Sequence, residues 1–302
     1  MRYSLSEVTR GLRDPHLILR EANSMFYRAR GGDWFNSRGT GIFELDWDNL
    51  ILLDACRYDV FRDVVDLPGE LSSRYTRGSR TEEFVRANFT GERHHDTVYV
   101  SENGWYRKLS DDIDAEVYGS VLLTDDHFPT RHRKTTETAK ELAAEHPEKR
   151  MLVHYLPPHH PYYGPVADEC FPDVETQFDA LFKRIRQGDL DISVEALRTM
   201  YVENLERIVP HVEELLDAFT GKTVVSADHG EFLGERSSPF PVREYGHLPT
   251  TYTEELTKVP WHVHTSGPRK TITAEQPDTE SEEASESEHD LDRQLRNLGY
   301  KV

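Results

Sequence analysis

Residues 223–231 read TVVSADHGE, a run of small β-forming residues that stops on Asp228, His229, Gly230 and Glu231. A buried strand ending on an acid and an imidazole sets two metal-capable side chains at the rim of a sheet, where open α/β folds bind their ligands. Two other segments share this design: NLILL delivers Asp54, and RMLVHYLPPHHPYYG delivers His154, His159 and His160. In a doubly wound sheet the three strand ends meet at one edge, so residues far apart in sequence converge. Two carboxylates with an imidazole suit a divalent cation that takes oxygen with some nitrogen, such as Ca, Mg, Mn or Zn. The competing reading of Asp54 and Asp228 is a turn or helix-capping acid. That of His154, inside an apolar strand, is a satisfied core histidine.

The elements that must position these residues follow from periodicity. Short apolar runs bounded by polar turns alternate with helical patterns, which predicts βαβ units and a mainly parallel sheet. Strands are expected at Asn49–Leu53, Thr97–Val100, Arg150–Tyr155, Thr223–Ser226 and Pro260–His264, with a helix from Thr135 to Ala144. A longer helix is expected from Ser193 to Phe219. Leu197, Met200, Tyr201, Leu205, Ile208, Val212, Leu215 and Leu216 recur there at three- and four-residue spacings, with a kink expected at Pro210. His94 and His95 are assigned to a surface loop.

Charge narrows the partners. The 302 residues carry 55 acids against 36 bases, for a net charge of −19, and the bases are 27 Arg and only 9 Lys. Such a surface repels phosphate backbones, which excludes nucleic acid as a partner. Acid excess with little Lys predicts a protein of concentrated salt, that of a halophilic archaeon. Cys56 and Cys170 are too few for a disulfide scaffold or a thiolate cluster. No apolar run within residues 1–31 suits a signal peptide or a membrane span, so a cytoplasmic location is expected. Residues 1–31 do hold six Arg against three acids with Leu, Ile, Met and Phe between them, the composition of a helix lying on anionic lipid; the rival is a helix packed on the domain.

The order of motifs resembles the alkaline phosphatase superfamily, most nearly its sulfatase branch. Asp54 followed by Arg57 and Asp59 is similar to that family's first metal-binding segment, and His159-x-Pro161-Tyr162 to its substrate-side segment. Asp228-His229-Gly230-Glu231 resembles the second metal-binding segment, and Gly246-His247 before VPWHV the late histidine and closing strand. The resemblance spans roughly residues 46–264. It departs at the nucleophile. Nine residues before Thr90-Gly91, where sulfatases place a Cys or Ser that becomes formylglycine, this chain has Thr81, with no Pro or Arg at the expected positions after it. Relatives that transfer or cleave phosphate esters use an unmodified Thr.

The resemblance implies a three-layer α/β/α sandwich with a central, mainly parallel mixed sheet over residues 46–268. A helical extension (1–45) precedes it, and an acidic disordered tail (269–302) follows, ending in a short helix on Leu291, Leu295 and Leu298. It implies metal-dependent hydrolysis of an anionic sulfate or phosphate ester, glycan- or lipid-linked, through a covalent intermediate on Thr81. Asp54, Asp228 and His229 would hold one cation, which lowers the pKa of the Thr hydroxyl. His159 would hydrogen-bond an oxygen or protonate the leaving group, with His160, His247 and Arg57 on the substrate side. Ser79 and Cys56 are the rival nucleophiles. A transferase sharing the first step, or a non-catalytic anion binder, are the alternative functions.

Overall fold

The computed structural model describes residues 15–30, 34–124, 128–178, 181–277, 291–292 and 295–296. In chain order its elements are α1 (Pro15–Ala29), β1 (Asn49–Leu53), α2 (Tyr58–Val64), β2 (Glu70–Tyr75), α3 (Thr81–Phe89), β3 (Arg93–Ser101), α4 (Trp105–Leu109), β4 (Glu116–Leu122) and α5 (Phe128–Glu145). They continue with β5 (Arg150–Tyr155), α6 (Pro165–Cys170), α7 (Leu181–Gln187), α8 (Val194–Ala218), β6 (Gly221–Ser226), β7 (Phe232–Arg236), β8 (Arg243–Gly246), α9 (Glu254–Thr257) and β9 (Lys258–Ser266).

All five residues of β1 are buried, because the strand is covered on both faces. Leu50 and Leu52 pack with Phe84, Phe89 and Trp105 of α3 and α4. Ile51 and Leu53 point the other way, onto Phe61 of α2 and Leu205, Ile208 and Val212 of α8. The sheet is therefore the middle of three layers. Its order is β2-β9-β6-β1-β5-β3-β4. β1 pairs in parallel with β5 and β6, and β3 in parallel with β5 and β4. β9 runs antiparallel to both β6 and β2. The three-layer sandwich and the mainly parallel mixed sheet stand as expected.

α8 buries every residue of the predicted apolar stripe, and Ser193 caps it by accepting from the Ala196 N–H. Four strands were not anticipated. β2 and β4 are the sheet's edges, partly wet, so neither carries an apolar run; β7 and β8 form a separate hairpin. His94 and His95 lie on β3 rather than on a loop, with His94 stacked on Phe43. Leu291 and Leu295 are buried against the core; Leu298 and the acidic run 278–290 lie outside the described residues. Among the described residues no helix is long and apolar enough to cross a membrane.

Candidate active site

Parallel pairing carries β1, β5, β6 and β3 to one edge of the sheet, and the chain turns there on side chains that face each other. Asp54 leaves β1 through Ala55, a non-glycine residue at φ 61, whose N–H donates to Asp228 Oδ1 (3.1 Å) and whose carbonyl accepts from Tyr201 Oη (2.6 Å). A left-handed alanine costs of order 1–3 kcal/mol and persists where its surroundings fix it. After β6, Asp228 Oδ1 also accepts from the His229 N–H (2.9 Å). Gly230 follows because a Cβ there would meet the Glu255 carbonyl oxygen at 2.1 Å. Thr81 is the first residue of α3, with Arg80 as its cap, so the hydroxyl stands at a helix N-terminus.

These segments bring together Thr81, Asp54, Asp228 and His229, all essentially buried. His229 Nε2 is 3.2 Å from Thr81 Oγ1 and 3.4 Å from both Asp54 Oδ1 and Asp228 Oδ2. Donors held about 2.0–2.2 Å from one tetrahedral cation lie about 3.3–3.6 Å apart. The tautomer suits a ligand as well. His229 Nδ1 lies 2.8 Å from the Gly230 carbonyl, which only accepts, so Nδ1 carries the proton and Nε2 presents its lone pair. Asp54 Oδ1, Asp228 Oδ2 and His154 Nε2 are buried and make no hydrogen bond. Buried polar atoms without a partner are rare, and a cation among them accounts for all three.

A second triad, unforeseen in the sequence, stands beside the first. His159, Glu231 and His247 have ligand atoms within 4.8 Å of one another, as do Asp54, His154 and Asp228. His159 Nδ1 is 2.6 Å from the His160 carbonyl, which fixes the same tautomer as in His229. His247 Nδ1 lies 3.0 Å from Glu231 Oε1, while Glu231 Oε2 is buried without a hydrogen bond. The His229 and His247 rings are 4.7 Å apart, so the two donor sets adjoin. The donors therefore fit two cations, where the sequence suggested one.

Electrostatics match this reading. Burial, and then the charge of Asp228, push the Asp54 carboxyl well above its usual range. Burial also acts on Asp228, but the imidazoles of His229 and His154 outweigh it and hold that carboxyl low. Burial raises Glu231 to about 7 and lowers His159 to about 4. Glu231, raised to about 7, is thus protonated in slightly acidic solution without a cation. Cation uptake by the second donor set at about pH 6 is expected to release about one proton. Titration calorimetry in two buffers of different ionisation enthalpy measures this, and Glu231→Gln is expected to abolish that release.

Three residues that the sequence reading passed over position the site. Asn103, after β3, donates from Nδ2 to Asp54 Oδ2 (2.7 Å) and reaches Thr81 Oγ1 at 3.4 Å. Glu102 accepts from the Leu156 N–H (3.0 Å) and the Thr135 hydroxyl (2.8 Å), pinning the segment that leaves β5. Glu83 accepts from the Thr250 N–H (2.7 Å) and the Ser79 N–H (3.0 Å), tying α3 to the segment after His247.

Five further residues singled out in the sequence have surroundings that it did not specify. His154 is not a satisfied core residue: Tyr99 Oη meets its Nδ1 at 3.0 Å, and Nε2 faces Asp228 Oδ2 at 3.8 Å. Arg57 is committed to structure, donating to both oxygens of Asp59 (2.9 and 2.7 Å), to Glu235 (2.6 Å) and to the Glu231 carbonyl (3.1 Å). Ser79 Oγ is held by Glu83 (2.7 Å) and the Leu248 carbonyl (2.8 Å), and Cys56 is buried, its thiol pushed up by burial. His160 stacks beside His159 with ring centres 4.4 Å apart.

No family model and no curated protein matches the chain. Solved structures do. The C-terminal periplasmic domain of phosphoethanolamine transferase EptC from Campylobacter jejuni is 14% identical, with 72% of this chain and 78% of that one covered and a TM-score of 0.45. The EptC domain from Escherichia coli, in complex with Zn, is 15% identical over 75% of each chain, with a TM-score of 0.40. BT1596, a 2-O GAG sulfatase, is 13% identical over 84% of this chain and 70% of its own, with a TM-score of 0.46. The likeness is remote. The expected cytoplasmic location is corrected on this finding, because the EptC domains it matches are periplasmic.

Proposed function

We propose that this chain is a divalent-cation-dependent hydrolase of a sulfate or phosphate ester, with Thr81 as nucleophile. One observation carries the reading: the Thr81 hydroxyl, at the head of α3, lies within 3.2 Å of His229 Nε2 in a buried pocket that also holds two carboxylate oxygens without hydrogen bonds. Asp54, Asp228 and His229 would hold one cation, and His159, Glu231 and His247 a second. Bound there, the cations supply positive charge that favours the ionised hydroxyl and draws charge from the ester oxygens.

Thr81 gives up its hydroxyl proton to water, its Oγ attacks the sulfur or phosphorus, the bond to the leaving oxygen breaks, and the departing alkoxide takes a proton back from water. Water then cleaves the Thr81 ester and frees the hydroxyl. Asn103 orients Asp54 and, from 3.4 Å, donates toward the reacting Thr81 oxygen. The first N–H groups of α3 lie beside Thr81 and favour an anion. The short tie of Ser79 Oγ to Glu83 supports Thr81 over Ser79 as the attacking group.

The test is turnover of 4-nitrophenyl sulfate, phosphate and phosphodiester with Ca, Mg, Mn or Zn in high salt, with and without an alcohol acceptor. Cation-dependent release of nitrophenol supports the reading and sorts sulfate from phosphate. Capture of the group by the alcohol converts the hydrolase to a transferase. A folded, cation-loaded protein that turns over none of them, and none of a wider panel of anionic esters, is a binding protein.

A further inference from the structure

α1 is turned the wrong way round for a helix packed on a soluble domain. Its polar side chains face the protein. Asn23 Nδ2 donates to Ser237 Oγ and to the Phe240 carbonyl (both 2.9 Å), and its Oδ1 accepts from the Phe240 N–H (2.9 Å). The hydroxyls of Ser24 and Thr250 meet at 2.9 Å, Arg28 donates to Thr250 Oγ1 (3.2 Å), and Tyr27 Oη donates to the Ser238 carbonyl (3.0 Å). Arg20 pairs with Glu244 at 2.9 Å. The opposite face carries Ile18, Ala22, Met25 and Ala29, spaced four, three and four residues apart and hence one stripe. Ile18 is 50% and Met25 52% exposed, the two most exposed large apolar residues among those described. The segment that receives the helix exposes a further ring, Phe240 at 41%.

We infer that this stripe seats the protein on an anionic lipid surface. An ordinary amphipathic helix buries its apolar stripe in its own domain; here it is the hydrogen-bonding side chains that anchor α1, leaving the apolar side for an outside apolar phase. Charge selects the phase. With Arg20 paired to Glu244, residues 15–30 keep Arg28 and Arg30 against Glu21, a net positive charge in a chain whose own is −19. At physiological ionic strength a surface field reaches only about 8 Å, so a bilayer meets the helix's own positive charge and not the acidic body. A second copy fits less well, because four side chains on one helix fall short of the roughly 800 Å² per partner that a stable interface buries. The inference is independent of the ester chemistry, although the helix is braced on the same segment, 237–252, that carries His247.

The experiment is flotation of the full chain with vesicles of phosphatidylglycerol or of phosphatidylcholine, for the wild type and for Ile18→Glu with Met25→Glu. Both positions are exposed, so the double variant should keep the wild-type circular dichroism and cation uptake. The wild type is expected to float with phosphatidylglycerol, and the double variant to bind at least about tenfold more weakly. Equal flotation with phosphatidylcholine overturns the anionic assignment. A wild type that floats with neither lipid overturns the inference. So does a wild-type dimer in sedimentation equilibrium that the double variant dissolves, which makes the stripe a contact between copies.

Discussion

Thr81→Ala is expected to lower ester turnover by at least about a thousandfold while leaving cation uptake near the wild-type level. The two outcomes separate because Thr81 is one donor among several. Asp54 Oδ1 and Asp228 Oδ2 each stand 3.4 Å from His229 Nε2 without it. Without the hydroxyl, His229 Nε2 and Asn103 Nδ2 keep the Gly230 and Asp54 contacts that orient them. Thr81→Ser, which keeps the oxygen, is expected to retain at least about a tenth of the activity. Ser79→Ala serves as the contrast: its hydroxyl is already bound to Glu83, so turnover should change by less than about tenfold. Paired assays of turnover and cation stoichiometry on the three variants check this. Full activity in Thr81→Ala would move the attack to water or to Ser79.

Much of the fold was legible because its central strands are buried on both faces. NLILL, RMLVHY and TVVS are short apolar runs for that reason, and each ends where the sheet delivers a residue of the candidate site. The first donor set was legible for the same reason: Asp54 and the Asp228-His229 pair follow such runs directly. Edge strands β2 and β4 face water in part and leave no apolar signature. The second triad was hidden differently. His159, Glu231 and His247 come from three loops, and what unites them is the tertiary path of those loops rather than a spacing. Glu231 did carry a signal, standing two residues beyond His229 in a segment already assigned to the site. His154 was misread because strand burial predicts a core residue; nothing in RMLVHY says that its Nε2 will lie 3.8 Å from a carboxylate. Arg57 looked like an anion partner because the sequence does not reveal that Asp59 and Glu235 take its donors first.

The second large effect is expected from Asp54→Asn, and its sign depends on the cation. Asp54 and Asp228 are both fully buried, and burial with the charge of Asp228 raises Asp54 well above its usual range. A carboxyl whose folded pKa lies above its unfolded value binds more protons in the folded state, so the stability of the cation-free protein falls as pH rises from the ordinary carboxyl range toward that raised value. Asn does not titrate, and its carbonyl oxygen can still accept from Asn103 Nδ2, as Asp54 Oδ2 does at 2.7 Å. In chelator at neutral pH the variant is therefore expected to be more stable than the wild type by on the order of 1–3 kcal/mol, or several degrees in Tm. With saturating cation the order reverses. The wild type gains RT ln(1 + [L]/Kd), about 2.7 kcal/mol at a hundredfold excess over Kd. The variant, short of one charged ligand, gains little and loses turnover. Thermal melts of both proteins with chelator and with each cation read out this crossing. A variant less stable than the wild type under both conditions would mean that Asp54 is a structural acid whose burial is compensated without a cation, and the first metal site would fall with it.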